Sequence, residues 1–229
     1  LSFANANGNG AMTVVAFDCA LAGVGVNSQL NNSFAHITDC EINGDIYVGE
    51  ECHVADNYFY SSKVQLTGSA TAVDTIIAQN HFIAAASGIV FSGTNPSACL
   101  IANNEFDACT TCIDFSAASG TTTLDGFNIH DNQLDGVTTF LNFSTVTQRY
   151  FSGLVRNNVG TGTNFINAGA IIPPGLRRSG NVLNGVYVDN TTGAGLVGIV
   201  GVTGFDTTLR WGAFSVLFGY TKVDVAAGT

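Results

Sequence analysis

The chain has 229 residues, a formal net charge of −10 and only 10% charged residues, against roughly a quarter in ordinary soluble domains. Its 7 Lys and Arg are too few and too scattered to neutralise a nucleic-acid backbone, which needs clustered cations. No unbroken run of about 18 apolar residues offers a membrane span. With 27 Gly and 3 Pro, and with Asn, Thr, Ser, Val, Ile and Phe abundant, the composition is one of strands and turns, poor in good helix formers.

Residues 1–12 read as a lead-in segment. A six-residue motif then recurs: apolar, any, polar, Asn, any, apolar. Its copies are Val54-Ala55-Asp56-Asn57-Tyr58-Phe59, Ile77-Ala78-Gln79-Asn80-His81-Phe82 and Ile101-Ala102-Asn103-Asn104-Glu105-Phe106. Ile129-His130-Asp131-Asn132-Gln133-Leu134 and Leu154-Val155-Arg156-Asn157-Asn158-Val159 continue it. The Asn positions 57, 80, 104, 132 and 157 step by 23, 24, 28 and 25 residues. A fixed period of this size means one structural unit stacked on itself.

After each copy comes a pair of apolar residues two apart: Ile46 and Val48, Val64 and Leu66, Ile89 and Phe91, Ile113 and Phe115, Leu141 and Phe143, Val186 and Val188. A period of two predicts a strand with the middle residue facing out. Each coil then holds at least two short strands, in parallel with their copies about 4.8 Å away in the next coil. Phe59, Phe82, Phe106, Leu134 and Val159 form one internal column, and the Ile46 to Val186 series another. The Asn falls at a bend, where its amide bonds the amides above and below in a ladder. Cys40 and Cys19 take the Asn position in earlier coils (Ile37-Thr38-Asp39-Cys40-Glu41-Ile42 and Ala16-Phe17-Asp18-Cys19-Ala20-Leu21). They stack there as a disulfide or as reduced thiols. Adding Asn181 predicts about eight coils, or roughly 38 Å at the strand spacing. Cys109-Thr110-Thr111-Cys112 has CxxC spacing but no second pair and no neighbouring His. Small apolar side chains filling the stack are the stronger reading there, and a zinc site the weaker.

The repeat covers residues 13–188. Beyond it, residues 189–229 carry an apolar, Gly-rich tail, including Leu196-Val197-Gly198-Ile199-Val200 and Phe214-Ser215-Val216-Leu217-Phe218. A solenoid end must be covered. This tail either folds back as a cap or meets other copies of the chain.

The repeated NxF/NxL element with its partner columns resembles the right-handed parallel β-helix of the pectate-lyase-like superfamily, which includes bacteriophage tailspikes. The resemblance implies an all-β solenoid with C-terminal strands for capping or homotrimer formation. It also implies a virion (tail) or extracellular location and, as partners, a host surface polysaccharide or glycan and other virion proteins.

Function then rests on outward residues. The column after each Asn reads Glu41, Tyr58, His81, Glu105, Gln133, Asn158, and the column before it Asp39, Asp56, Gln79, Asn103, Asp131, Arg156. Such a polar strip suits a sugar chain, since carboxylates and amides bond hydroxyls and an aromatic ring stacks on a sugar face. Tyr58, His81, Gln133, Asp56 and Asn103 are the candidate glycan-binding residues. Glycoside hydrolysis needs two carboxyl groups about 5–9.5 Å apart, and Glu105, Asp107 and Asp131 are the candidate catalytic set. Chance acidic neighbours are the competing explanation, with 17 Asp and Glu in the chain. Lyase chemistry, which the resemblance also allows, would need a cation near a carboxylate, and Arg156 near Asp131 is the one fair candidate. His36, His53, His81 and His130 share no metal-ligand spacing, so no metal and no cofactor is expected. The two functional readings are a tailspike or tail-fibre protein that contacts host glycans, and an extracellular glycoside hydrolase or polysaccharide lyase. An adhesin-like structural role is a third.

Overall fold

The computed structural model describes residues 12–18, 20–22, 33–48, 52–66, 75–92, 98–116, 118, 124–143, 151–167 and 175–188. These residues form an all-β, right-handed parallel solenoid. The first strands are β1 (Met12–Phe17) and β2 (Ala20–Ala22). Four turns of three strands follow. They comprise β3 (Ser33–Thr38), β4 (Glu41–Asn43) and β5 (Ile46–Val48), then β6 (Cys52–Ala55), β7 (Tyr58–Tyr60) and β8 (Val64–Leu66). Next come β9 (Thr75–Ala78), β10 (His81–Ile83) and β11 (Ser87–Phe91), then β12 (Cys99–Ala102), β13 (Glu105–Asp107) and β14 (Thr111–Asp114). The pattern then changes to two long strands per turn, β15 (Leu124–His130) with β16 (Gln133–Asn142) and β17 (Phe151–Arg156) with β18 (Val159–Asn167). The described chain ends in β19 (Leu176–Ser179), β20 (Val182–Leu183) and β21 (Val186–Tyr187).

The expectation of about eight equivalent coils is therefore corrected: about four turns are regular. The repeat of the Asn motif does not reveal that two strands fuse into β16. One sheet has eight strands in the order β1-β3-β6-β9-β12-β15-β17-β19. The other has 13, and its two arms, β2-β4-β7-β10-β13 and β5-β8-β11-β14, converge on β16. Neighbours pair in parallel except β20 and β21, which are antiparallel. The lead-in segment, nearly all of it, and the tail 189–229 lie outside the described residues, as does Cys19.

The interior is built from like residues in register. Phe59, Phe82 and Phe106 pair in adjacent turns, with rings 4.6 Å and then 5.1 Å apart and nearly parallel. Phe91, Phe115 and Phe143 stack likewise at 4.7 Å and 4.9 Å. Phe127 meets the first two of these edge-on. Burying each such ring stabilises by about 1.5–3 kcal/mol, and the stacking adds to that. A third column runs Ile37, Val54, Ile77, Ile101, Ile129, Val155 and ends on Arg178. There the half-buried guanidinium donates from Nη1 to the Val188 carbonyl at 3.5 Å.

Three sequence expectations change at this end. The fifth ladder residue is Asn158, not Asn157: Asn132 Nδ2 donates to Asn158 Oδ1 at 2.8 Å, and Asn158 Nδ2 to Asn181 Oδ1 at 2.8 Å. Val159 does not extend the Phe column. Gly160 pairs with Leu134 instead, and Val159 is 49% exposed. Only glycine serves at 160, because a Cβ there would collide with the Leu134 carbonyl oxygen. Finally, Val186 does not follow Leu141. Ile166 holds that place, and Val186 is exposed in the terminal hairpin.

Each rung of the ladder satisfies buried groups. Asn57 Nδ2 donates to Ala55 O at 2.7 Å, Ile37 O at 2.9 Å and Asn80 Oδ1 at 2.9 Å. Cys40 occupies the Asn position as expected: its backbone N–H donates to Asn57 Oδ1 at 3.0 Å, and its thiol donates to Thr38 O at 3.1 Å. Cys109 and Cys112 are buried in the stack. Among the described residues no group of three or more His, Cys, Asp or Glu side chains could hold a metal ion.

Candidate functional site

Strands β4, β7, β10, β13 and β16 present one outward column. Glu41, Tyr58, His81, Glu105 and Gln133 pair in sequence across it. This is the column after each Asn, and it continues with Val159 and Val182. Asn158, assigned to it from the sequence, is buried in the ladder. Tyr58 is half exposed, and its ring lies 5.5 Å from that of His81 at 52°. His81 Nε2 is buried, has no hydrogen-bond partner, and stands 3.9 Å from Glu105 Oε1. Two residues on, a second column pairs Tyr60, Ile83, Asp107 and Asp135.

The residues before each ladder Asn have a backbone reason for their identity. Asp39, Asp56, Gln79, Asn103, Asp131 and Asn157 all lie in the left-handed region, with φ between 53° and 58°. Asp and Asn tolerate that conformation best among non-glycine residues, and Gly180 follows them at φ 70°. Arg156 belongs instead to β17, in register with His130. Asp56, Asn103 and Asp131 are thus turn formers first, and their carboxylate or amide ends are left exposed at the corner.

The three candidate catalytic carboxylates are divided between two elements. Glu105 and Asp107 share the outward face of β13, and Asp107 has Asp135 as its neighbour in the next turn. Asp131 lies on the bend before β16, bound by its neighbour: His130 Nδ1 donates to Asp131 Oδ2 at 2.6 Å. That hydrogen bond, foremost, holds the Asp131 carboxyl below the usual carboxylate range, with the Asn157 side chain and the Arg156 charge acting in the same direction. An acid held ionised suits a base or an electrostatic role and opposes a proton-donating one. Arg156 is in register with His130, the residue before Asp131, and forms no ion pair with Asp131 among the described residues. Asp114, by contrast, bonds the Asn142 amide at 3.0 Å and the Ser116 backbone N–H at 2.8 Å, a turn-closing role.

An open groove of about 420 Å³ lies beside the start of the column, lined by Asp18, Ala20, Asp39, Cys40, Glu41, Asp56 and Tyr58. It includes two of the candidate glycan-binding residues, Asp56 and Tyr58. Asn103, Gln133 and His81 continue along the same edge of the solenoid, outside the groove. Sequence reasoning missed Tyr60, 40% exposed, and Asp135. Each lies two residues beyond a position already assigned outward, and the period of two could have found both.

The fold is consistent with the pectate-lyase-like superfamily in general. No protein-family model matches the chain, and no curated protein and no solved structure matches it.

Proposed function

We propose that this chain is a virion-borne structural and receptor-binding β-helix of the tailspike or tail-fibre type, with a host surface glycan lying along the outward column of β4, β7, β10, β13 and β16. The observation that carries the reading is Tyr58. It is half exposed, lies at the wall of the groove with Asp56 and Glu41, and is in register with His81. A flat aromatic ring beside carboxylates and an imidazole is a sugar-binding constellation: the ring takes the apolar face and the polar groups take the hydroxyls. Binding of the chain to a panel of bacterial surface polysaccharides tests it. Tyr58→Ala should weaken binding by about tenfold or more, the usual loss at a central aromatic anchor. No binding to any member, or binding that Tyr58→Ala leaves intact, contradicts it. Recovery of the chain from purified virions tests the location, and a native mass three times that of the chain tests the homotrimer.

The second reading is a polysaccharide-degrading enzyme. It draws on the carboxylates of β13, Glu105 and Asp107, together with the ionised Asp131. Release of reducing ends or of unsaturated products from the same panel, abolished by Glu105→Gln, Asp107→Asn or Asp131→Asn, favours this reading. Binding without release favours the first.

A further inference from the structure

On the opposite sheet, His36 of β3 and His53 of β6 are paired neighbours in consecutive turns. Both point outward: His36 is exposed and His53 half-buried, between buried residues on either side in each strand. Their ring centroids are 4.6 Å apart and the rings are tilted by 34°. Among the described residues neither imidazole is in an ion pair. The next residue in the column is Ile76, and two positions along lie Thr38 and Ala55, so among the described residues of the column no carboxylate stands in register with the pair.

We propose that His36 and His53 together bind a divalent transition-metal ion, copper(II) in preference to nickel(II) or zinc(II). Imidazole nitrogen is a good ligand for these ions, and affinity at such sites generally rises to copper. Two nitrogens on one ion lie about 3 Å apart, given metal–nitrogen distances of about 2.0–2.1 Å. With ring centroids 4.6 Å apart, side-chain rotation can bring one nitrogen of each ring to that separation. Two imidazole nitrogens do not suit calcium and magnesium, which require oxygen ligands. With two protein ligands, water fills the remaining positions, so the ion exchanges readily and remains open to a further ligand. The ion would also tie one turn to the next. Spacing gives no motif for this pair. The step of 17 from His36 to His53 equals the step from Cys40 to Asn57, the length of one short turn, and only the fold turns that number into contact.

The test is copper titration of the full chain by calorimetry near neutral pH, with electron paramagnetic resonance of the bound ion. The expected result is one site with two imidazole nitrogens coordinated, released by acid because the ligands must be deprotonated. His36→Ala and His53→Ala should each lower affinity by about 10-fold to 100-fold, while His81→Ala leaves it unchanged. Circular dichroism on each variant without metal checks that the fold is kept. Resonance spectra of the unmodified chain showing fewer than two imidazole nitrogens overturn the proposal without any variant. So does wild-type affinity in the double variant.

Discussion

Asn80 donates from Nδ2 to Asn104 Oδ1 at 3.0 Å, and its backbone N–H donates to the same oxygen at 3.0 Å. One carbonyl oxygen thus satisfies two donors from the turn before. The Asn80 amide meanwhile bonds Ala78 O and Val54 O, each at 2.9 Å. Removing the side chain leaves several buried groups without partners. Asn80→Leu and Asn104→Leu should each destabilise by about 1–3 kcal/mol. The same change at exposed Gln133 should cost about 0.5 kcal/mol or less. Denaturant unfolding of the three variants checks this.

The adjacent pair Asn157 and Asn158 separates ladder from bend. Asn158 is fully buried in the ladder, while Asn157 is exposed at φ 53°. Asn158→Leu should cost about 1–3 kcal/mol. Asn157→Gly retains the left-handed backbone and should change stability by about 0.5 kcal/mol or less. Thermal melts of the two variants give the comparison, and equal losses would contradict the assigned register.

A second bend follows β7, β10 and β13, where Ser61, Ala84 and Ala108 have φ of 47°, 52° and 53°. Alanine is strained there, and both alanines are exposed. Glycine relieves strain of roughly 1–2 kcal/mol and loses about 0.4–1 kcal/mol to a freer unfolded chain. Ala84→Gly and Ala108→Gly should therefore stabilise by about 0.5–1 kcal/mol each, read as a raised unfolding midpoint.

Burial pushes the Cys109 thiol up to about 11 from the ordinary 9.0, and burial raises Cys112 as well. The neutral thiol belongs to the folded state, so the contribution of Cys109 to stability is whole below pH 9.0 and is lost as pH rises toward 11, and Cys112 acts in the same direction. The melting temperature should fall over that window. A thiol reagent at neutral pH should label both residues only as fast as the protein unfolds.

The depressed Asp131 carboxyl works in the opposite sense. Its favourable interaction is present above the ordinary carboxylate value of 3.8 and is lost as pH falls through the lower folded one. Carbon-detected titration should place Asp131 below 3.8, and His130→Ala should move it upward by removing the largest cause.

Much of this architecture could be read from the chain because each turn repeats its chemistry. Asn57, Asn80, Asn104 and Asn132 were each identified by the apolar residue two positions on, which pairs in register with its copies. The same rule failed at Asn157 and Asn158. Two asparagines were adjacent, and Gly160, forced by a close backbone approach, stood where the rule demands an apolar side chain. Val186 satisfies the period of two but sits in an antiparallel hairpin, while Ile166 takes its place in the column from inside the long strand β18. Tyr58, His81, Glu105 and Gln133 were placed on one face by alternation alone. The left-handed corners that select Asp56, Asn103 and Asp131, and the contact of His36 with His53, depend on how turns of unequal length stack, which spacing does not state.

Equivalent residues 23–28 apart are stacked neighbours in parallel turns. Nuclear Overhauser spectroscopy of the side-chain amides tests it directly. The expected result is an unbroken chain of contacts from Asn57 to Asn80, Asn104, Asn132, Asn158 and Asn181. Asparagine amides isolated from one another, with strong Hα–Hα contacts between sequence-adjacent strands in their place, would mean antiparallel hairpins and would contradict the solenoid.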